Sequence, residues 1–475
     1  GLYDGGGGTG LHDYWAVLSN APHFGGGFIW ALLDEAVART DENGKLDARG
    51  NLAPDGIVGP HREKEGSFFT VRQIWSPVQV ENAAFINNTV SVNLQNDYDF
   101  NNLNACTFTW EIARLRDPAD NKAGHQTLSA GEFRGPDVAP HGNTTITLPV
   151  TLPSWDHPGT DVLYLTAKDP AGNAVWTWSY PLPSLDQDRS TGNAVPAKVI
   201  LREEPQQWVA TAGPTELRFS KDTGLLAGVT VGGKTISLTN GPRFLAYHHQ
   251  RGTGAGVGGG TPPLVYEDLA QPGALTGLTA HADGLDAVIE AKYNGPLQQA
   301  TWRVKPDGAV ALDYTYAFEG AVDLLGVNFD YPEAQVRGIT WAGWGPYRVW
   351  QNRMDGGTFD VWHNDYNDTI PGETWIYPEF KGYFRGWRWA ALDTAEGKIT
   401  LRNGTPAESF LGIYSPRDAN VGPLLDLPKT GLSVLDVIPS MRDKGKMPEQ
   451  LGPQGNSKTV AGETSHEIIF QFSAK

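Results

Sequence analysis

Asp34 and Glu35 stand side by side at the end of an apolar run that begins at Phe28, and paired carboxylates are the groups of general acid–base chemistry. Acid–base cleavage of one bond by two carboxyl groups would take one on each side of that bond. Neighbours on an extended chain point to opposite faces, so Asp34 and Glu35 cannot flank one bond. A substrate-hydroxyl or structural role follows for the pair, and no residue of this chain is assigned as catalytic. Four residues earlier, Trp30 offers an aromatic face of the kind that packs against the apolar C–H side of a sugar ring. Its plainer reading is a core tryptophan beneath a strand end.

Other chemistry-bearing residues are less well placed. His248 and His249 have no third ligand at useful spacing, so surface or core positions suit them better than a metal. The acidic run from Asp360 to Asp368 lacks the ordered alternation of a calcium loop. No metal site is therefore assigned. The glycines between Gly252 and Gly260 run into Thr261-Pro262-Pro263, without the strand-then-helix context of a dinucleotide site. Cys106 reads as a small buried hydrophobe.

The elements that must hold these residues are mostly strands. Phe24 to Val37 reads as a short buried strand with Trp30 near its carboxyl end, where barrel enzymes place ligand-contacting side chains. Ahead of it lie the glycine-dense loop Gly1–Gly10 and a helical spacing over Leu11–Ala21, so residues 1–76 read as one helix–strand–loop repeat of a barrel type. From 77 to 183, alternating segments such as Val90–Leu94, Cys106–Ile112, Thr144–Leu148, Val162–Leu165 and Val175–Trp178 predict an immunoglobulin-like sandwich. Residues 184–195 are polar and aperiodic, a linker. Residues 196–475 alternate throughout, with turns at Asp222-Thr223-Gly224, Gly232-Gly233 and Pro306-Asp307-Gly308, and predict one very large β-sandwich. The fold class is mainly β.

Bulk properties narrow the partners. A formal net charge of −17 without a basic face argues against nucleic acid. No apolar run is long enough to span a bilayer, so no membrane partner is expected. The lone cysteine excludes an internal disulfide. Asn-x-Thr triplets begin at Asn87, Asn143, Asn367 and Asn403, and matter only in a secretory eukaryotic host.

Several motifs, taken in order, resemble glycoside hydrolase family 2, the β-galactosidase-like enzymes. They are GGFIW at Gly26–Trp30, the acidic loop Pro60–Val71 leading into Ile74-Trp75-Ser76-Pro77, and Trp341-Ala342-Gly343-Trp344-Gly345-Pro346 with Arg353. Phe359-Asp360, Tyr377-Pro378-Glu379-Phe380 and Arg385 continue the series. The resemblance covers nearly the whole chain and implies its C-terminal portion: the last strand of a (β/α)8 barrel, an immunoglobulin-like domain and a galactose-mutarotase-like supersandwich. It implies a retaining β-glycosidase acting on terminal β-linked sugars of oligo- or polysaccharides. Both catalytic glutamates would lie upstream of Gly1, leaving this chain inactive alone and dependent on an upstream barrel segment. Trp30 matches a tryptophan that the family uses in its site, and Asp34 stands with it as substrate-binding. Asp55 falls near a position that binds sodium in some members, with different flanking residues. No cofactor is required within this chain, while Mg or Na in the full enzyme and an oligomer both remain open.

Where β-galactosidases send an aromatic residue into the sugar site, the segment Pro439–Pro453 carries Arg442, Lys444 and Lys446 instead. A basic loop there would favour a uronide, with Arg442 as a third substrate-binding residue. A periplasmic or extracellular setting is favoured over the cytoplasm. Two other readings compete: a non-catalytic carbohydrate-binding β-sandwich protein, and an enzyme using only the large sandwich, with His248, His249, His363 and Glu379 as its candidate groups.

Overall fold

Alternation of branched and polar side chains builds most of this molecule. In Thr89–Asn96, Val90, Val92 and Leu94 are fully buried while their neighbours lean outward, the period of a strand with one face on a core. The computed structural model describes residues 8, 10–34, 37–47, 56–59, 61–86, 88–120, 122–152, 161–182, 197–251, 264–366, 382–405, 407–414, 425–426, 430–441 and 446–475. Glu35, Asp55, Glu379, Arg442, Lys444, the glycine run at 252–260 and the linker at 184–195 lie outside the described residues.

The immunoglobulin-like unit has a three-stranded sheet, ordered Val78–Ile86, Thr89–Asn96, Asn143–Thr147. It faces a four-stranded sheet ordered His125–Arg134, Thr107–Leu115, Asp161–Lys168, Ala174–Pro181. All pairings are antiparallel. Val78, Val92, Leu94, Phe108, Ile112, Leu163 and Leu165 meet between the sheets, and Cys106 is buried among them as expected.

The large unit joins 20 strands into one hydrogen-bonded network. Its longest seam pairs Val310–Val322 with Lys458–Ala474 in unbroken register from Val310↔Phe470 to Val322↔Lys458. Trp302, Trp341, Trp387, Phe329 and Phe470 fill the centre. The turns read from the sequence are all present: Gly224 and Gly308 take positive φ, and Gly232 and Gly233 do so together, as a two-residue hairpin requires. The mainly β architecture expected, an immunoglobulin-like sandwich followed by a supersandwich, is the one observed.

The N-terminal unit departs from expectation in two places. Residues 24–30 carry no strand hydrogen bonding; the ladder begins only at Leu33, which forms a parallel bridge to Val58. A strand needs a neighbour for its amide groups, and among the described residues none flanks 24–30. Part of the loop expected over Pro60–Val71 is helical. Helix α2, Gly66–Ile74, forms because Phe68, Val71 and Trp75 share one face and pack with Leu11, Ile29, Leu33 and Val58. Helix α1, Leu11–Leu18, stands where its spacing placed it.

Candidate functional site

Residues 28–33 remain extended enough for side chains to alternate. Ile29 and Leu33 turn inward to the small core under α1 and α2, while Phe28, Trp30 and Leu32 turn outward. Trp30 is 71% exposed, and Tyr14, Val17 and Leu18 of α1 are exposed too. Phe28, Trp30 and Leu32 thus form a short row of large apolar groups without cover among the described residues. Beneath the row, Trp15 packs on Phe24 and on Trp75 with ring centroids 5.7 and 5.1 Å apart.

Asp34 behaves differently. Its side chain is 5% exposed, and Oδ1 accepts the Gly56 amide at 2.8 Å. Its own amide donates to Val58 O at 2.9 Å. The carboxylate thus holds the 56–58 backbone against the start of the parallel bridge.

A dense seam docks this unit onto the large sandwich. The Asp13 carboxylate accepts the Gln454 amide at 2.8 Å, and the Gly10 amide donates to Asn352 O at 3.0 Å. From α2, the Thr70 hydroxyl donates to Asp355 O at 2.9 Å and the Gln73 side chain accepts the Gly356 amide at 2.6 Å. Tyr347 packs at a tilt against Phe69 and donates its hydroxyl to Lys64 O. His12 lies 3.2 Å from Asp355, and that carboxylate raises the imidazole pKa above its ordinary value. Gly356 is required here: its φ is +96°, and a Cβ would come within 2.6 Å of the Thr70 amide.

The same seam pins the segment expected to reach substrate. Asn352, buried, grips Met441 on both sides, donating to its carbonyl at 2.7 Å and accepting its amide at 2.9 Å. Gln351 donates to Gln454 O and Asn456 O. The residue before Arg442 is therefore anchored, although Arg442 itself lies outside the described residues. The motif Trp341–Pro346 runs along the strand Val336–Val349 directly into this grip. Its sequence signal is packing: a Cβ on Gly345 would overlap the Trp362 ring at 2.4 Å.

Elsewhere, Asp360 belongs to a strand, Thr358–Asp365, and lies 2.9 Å from His125 of the immunoglobulin-like unit, so it serves a domain contact. His363 faces Thr340 and Asp365, apart in its partners from His248 and His249. Those two meet Asp323, a residue the sequence did not single out because it lies 75 positions beyond His248. A further polar cluster joins Tyr316 and His466, both buried in the large unit, to the half-buried Asp436; no local sequence signal marks that meeting.

Comparison with known proteins agrees with this architecture. A family model described as "Beta-galactosidase, domain 4" matches residues 92–177, inside the immunoglobulin-like unit. A second, "Beta galactosidase small chain", matches residues 211–465, more than half of the chain. The β-galactosidase of Priestia megaterium is 22% identical over 434 residues, 86% of this chain and 40% of the relative. That of Vibrio vulnificus is 23% identical over 433 residues, again 40% of its length. The chain thus spans about two fifths of these relatives. Galactose 1-epimerase from Lactobacillus acidophilus aligns over 58% of this chain and 98% of its own at 8% identity, with a TM-score of 0.29, a superposition too loose to add to the fold described above. With the domain-4 match on the small sandwich and the small-chain match on the large one, the chain belongs to the β-galactosidase family.

Proposed function

We propose that this chain is the scaffold and one substrate-facing wall of a retaining β-glycosidase that hydrolyses terminal β-linked sugars. In this reading the two catalytic carboxylates stand on an upstream barrel segment that packs on Phe28 and Leu32 and leaves the Trp30 ring facing the sugar site. The single observation that supports it most is the exposure of Trp30 together with Phe28 and Leu32, on the unit whose Gly10 bonds the same Asn352 that anchors Met441. Trp30 would stack on the sugar, and Arg442 would pair with a carboxylated one. Asp34 would act beneath them by holding the 56–58 backbone.

The test joins this chain to the upstream segment of its own gene. The chain alone should not hydrolyse nitrophenyl β-galactoside or β-glucuronide, whereas the joined protein should hydrolyse at least one, with the β-anomer formed first in proton NMR. Activity from the chain alone, or an α-anomer as first product, would overturn the reading. Equal turnover of both substrates, unchanged by Arg442→Ala, would remove the uronide preference while leaving the rest.

A further inference from the structure

His248 and His249 gain from the fold the partner that their sequence neighbourhood lacks. They sit on the strand Thr239–Arg251, which pairs antiparallel with Leu324–Asp330 so that Tyr247 faces Leu324. Asp323, just before that strand, is thereby brought beside them, and its amide donates to Tyr247 O at 2.8 Å. One carboxylate oxygen, Oδ2, lies 2.9 Å from His248 Nδ1 and 3.0 Å from His249 Nδ1. The ligand atoms of all three residues fall within 4.8 Å of one another.

We infer that His248, His249 and Asp323 form a binding site for a divalent transition metal, with Zn2+ the ion that suits it best. Bonds of about 2.0–2.1 Å to a common ion place adjacent ligand atoms about 2.9–3.4 Å apart, the spacing Asp323 already keeps to both rings. Two imidazole nitrogens with one carboxylate oxygen select zinc-like ions over calcium or magnesium, which take oxygen ligands. The burial is graded in the way an open site requires. Asp323 is 2% exposed and His249 10%, while His248, at 34%, is open enough to admit water to the remaining positions.

A second observation points the same way. His249 Nε2, the nitrogen away from Asp323, lies 3.3 Å from Glu449 Oε2. A metal on Nδ1 leaves Nε2–H as the donor to Glu449, and a carboxylate behind a ligating histidine is the usual means of fixing ring orientation. Glu449 belongs to the 3-10 turn Pro448–Gln450, and Ser457 Oγ stands 3.4 Å from His248. The ion would therefore fasten the end of the Pro439–Pro453 segment to two core strands. The value of that fastening to catalysis rests on the proposed function; the metal site does not.

The test is metal uptake by the chain itself, stripped with chelator and titrated with Zn2+ by calorimetry and with Co2+ by visible absorption. One equivalent should bind, Co2+ should develop ligand-field bands, and the melting temperature should rise with Zn2+ concentration. His248→Ala and Asp323→Asn should abolish uptake, and Glu449→Gln should weaken it roughly 10–100-fold. His281→Ala, at an exposed histidine elsewhere, should change nothing. Should Asp323→Asn fail to fold by circular dichroism, His248→Ala at the open edge carries the test alone. No saturable uptake by the unaltered chain, or uptake that survives His248→Ala, overturns the inference.

Discussion

His125 of the small sandwich is held between two carboxylates: Nδ1 lies 2.9 Å from Asp360 on the large sandwich, and Nε2 lies 3.3 Å from Glu111 on its own sheet. Tyr164, beside the ring, donates its hydroxyl to Phe359 O at 2.7 Å, so the contact is built into the junction of the two units. The Asp360 hydrogen bond raises the His125 pKa above its ordinary 6.5. A histidine whose folded pKa is raised contributes fully below its unfolded value and loses that contribution as pH rises through the folded one. Thermal melts should therefore find His125→Ala destabilised by about 1 kcal/mol near pH 6, with the difference shrinking as the pH is raised from about 6.5. An unchanging difference from pH 6 to 9 would mean that the imidazole charge takes no part.

Asn352 contributes through its two bonds to Met441. Asn352→Ala leaves a buried amide and a buried carbonyl without partners, which should cost about 2–4 kcal/mol. Urea unfolding followed by tryptophan fluorescence measures it. A loss below about 0.5 kcal/mol would show that the 440s backbone finds other partners.

Gly356 tests the seam from the backbone side. Gly356→Ala combines a positive φ with a Cβ that the α2 backbone already occupies, and should cost about 2 kcal/mol or more. Limited proteolysis should then cut near α2 faster than in the unaltered chain. Gly172→Ala, also at positive φ but with open space around it, should give the smaller loss.

Trp30 separates stability from function. Because its ring is exposed, Trp30→Ala should leave the chain's melting temperature within about a degree, while lowering kcat/KM of the joined enzyme at least tenfold if the ring stacks on sugar. A large drop in melting temperature would return Trp30 to the core instead.

Cys106 should be silent toward a thiol reagent in the native chain and react with one equivalent after denaturation. It is 1% exposed, and burial pushes its thiol pKa up, away from the reactive thiolate.

Much of this protein was legible in residue order because its governing signals are local. Alternation in Thr89–Asn96 and paired glycines at Gly232-Gly233 act over a few positions, so strands, hairpins and the two sandwiches follow without knowledge of what lies opposite. The helical face Phe68, Val71, Trp75 carried such a signal too, but it was masked by the charged approach to it. Residues 24–30 read as a strand because a short, bulky apolar run follows three glycines, yet a strand is completed by its neighbour.

Long-range pairing decided everything else. Asp323 reaches His248 across 75 residues because one register sets Tyr247 against Leu324, and His125 reaches Asp360 across 235 because two sheets dock. Composition holds no trace of either meeting: register and docking depend on which apolar faces fit together, and that fit exists only once the chain has folded.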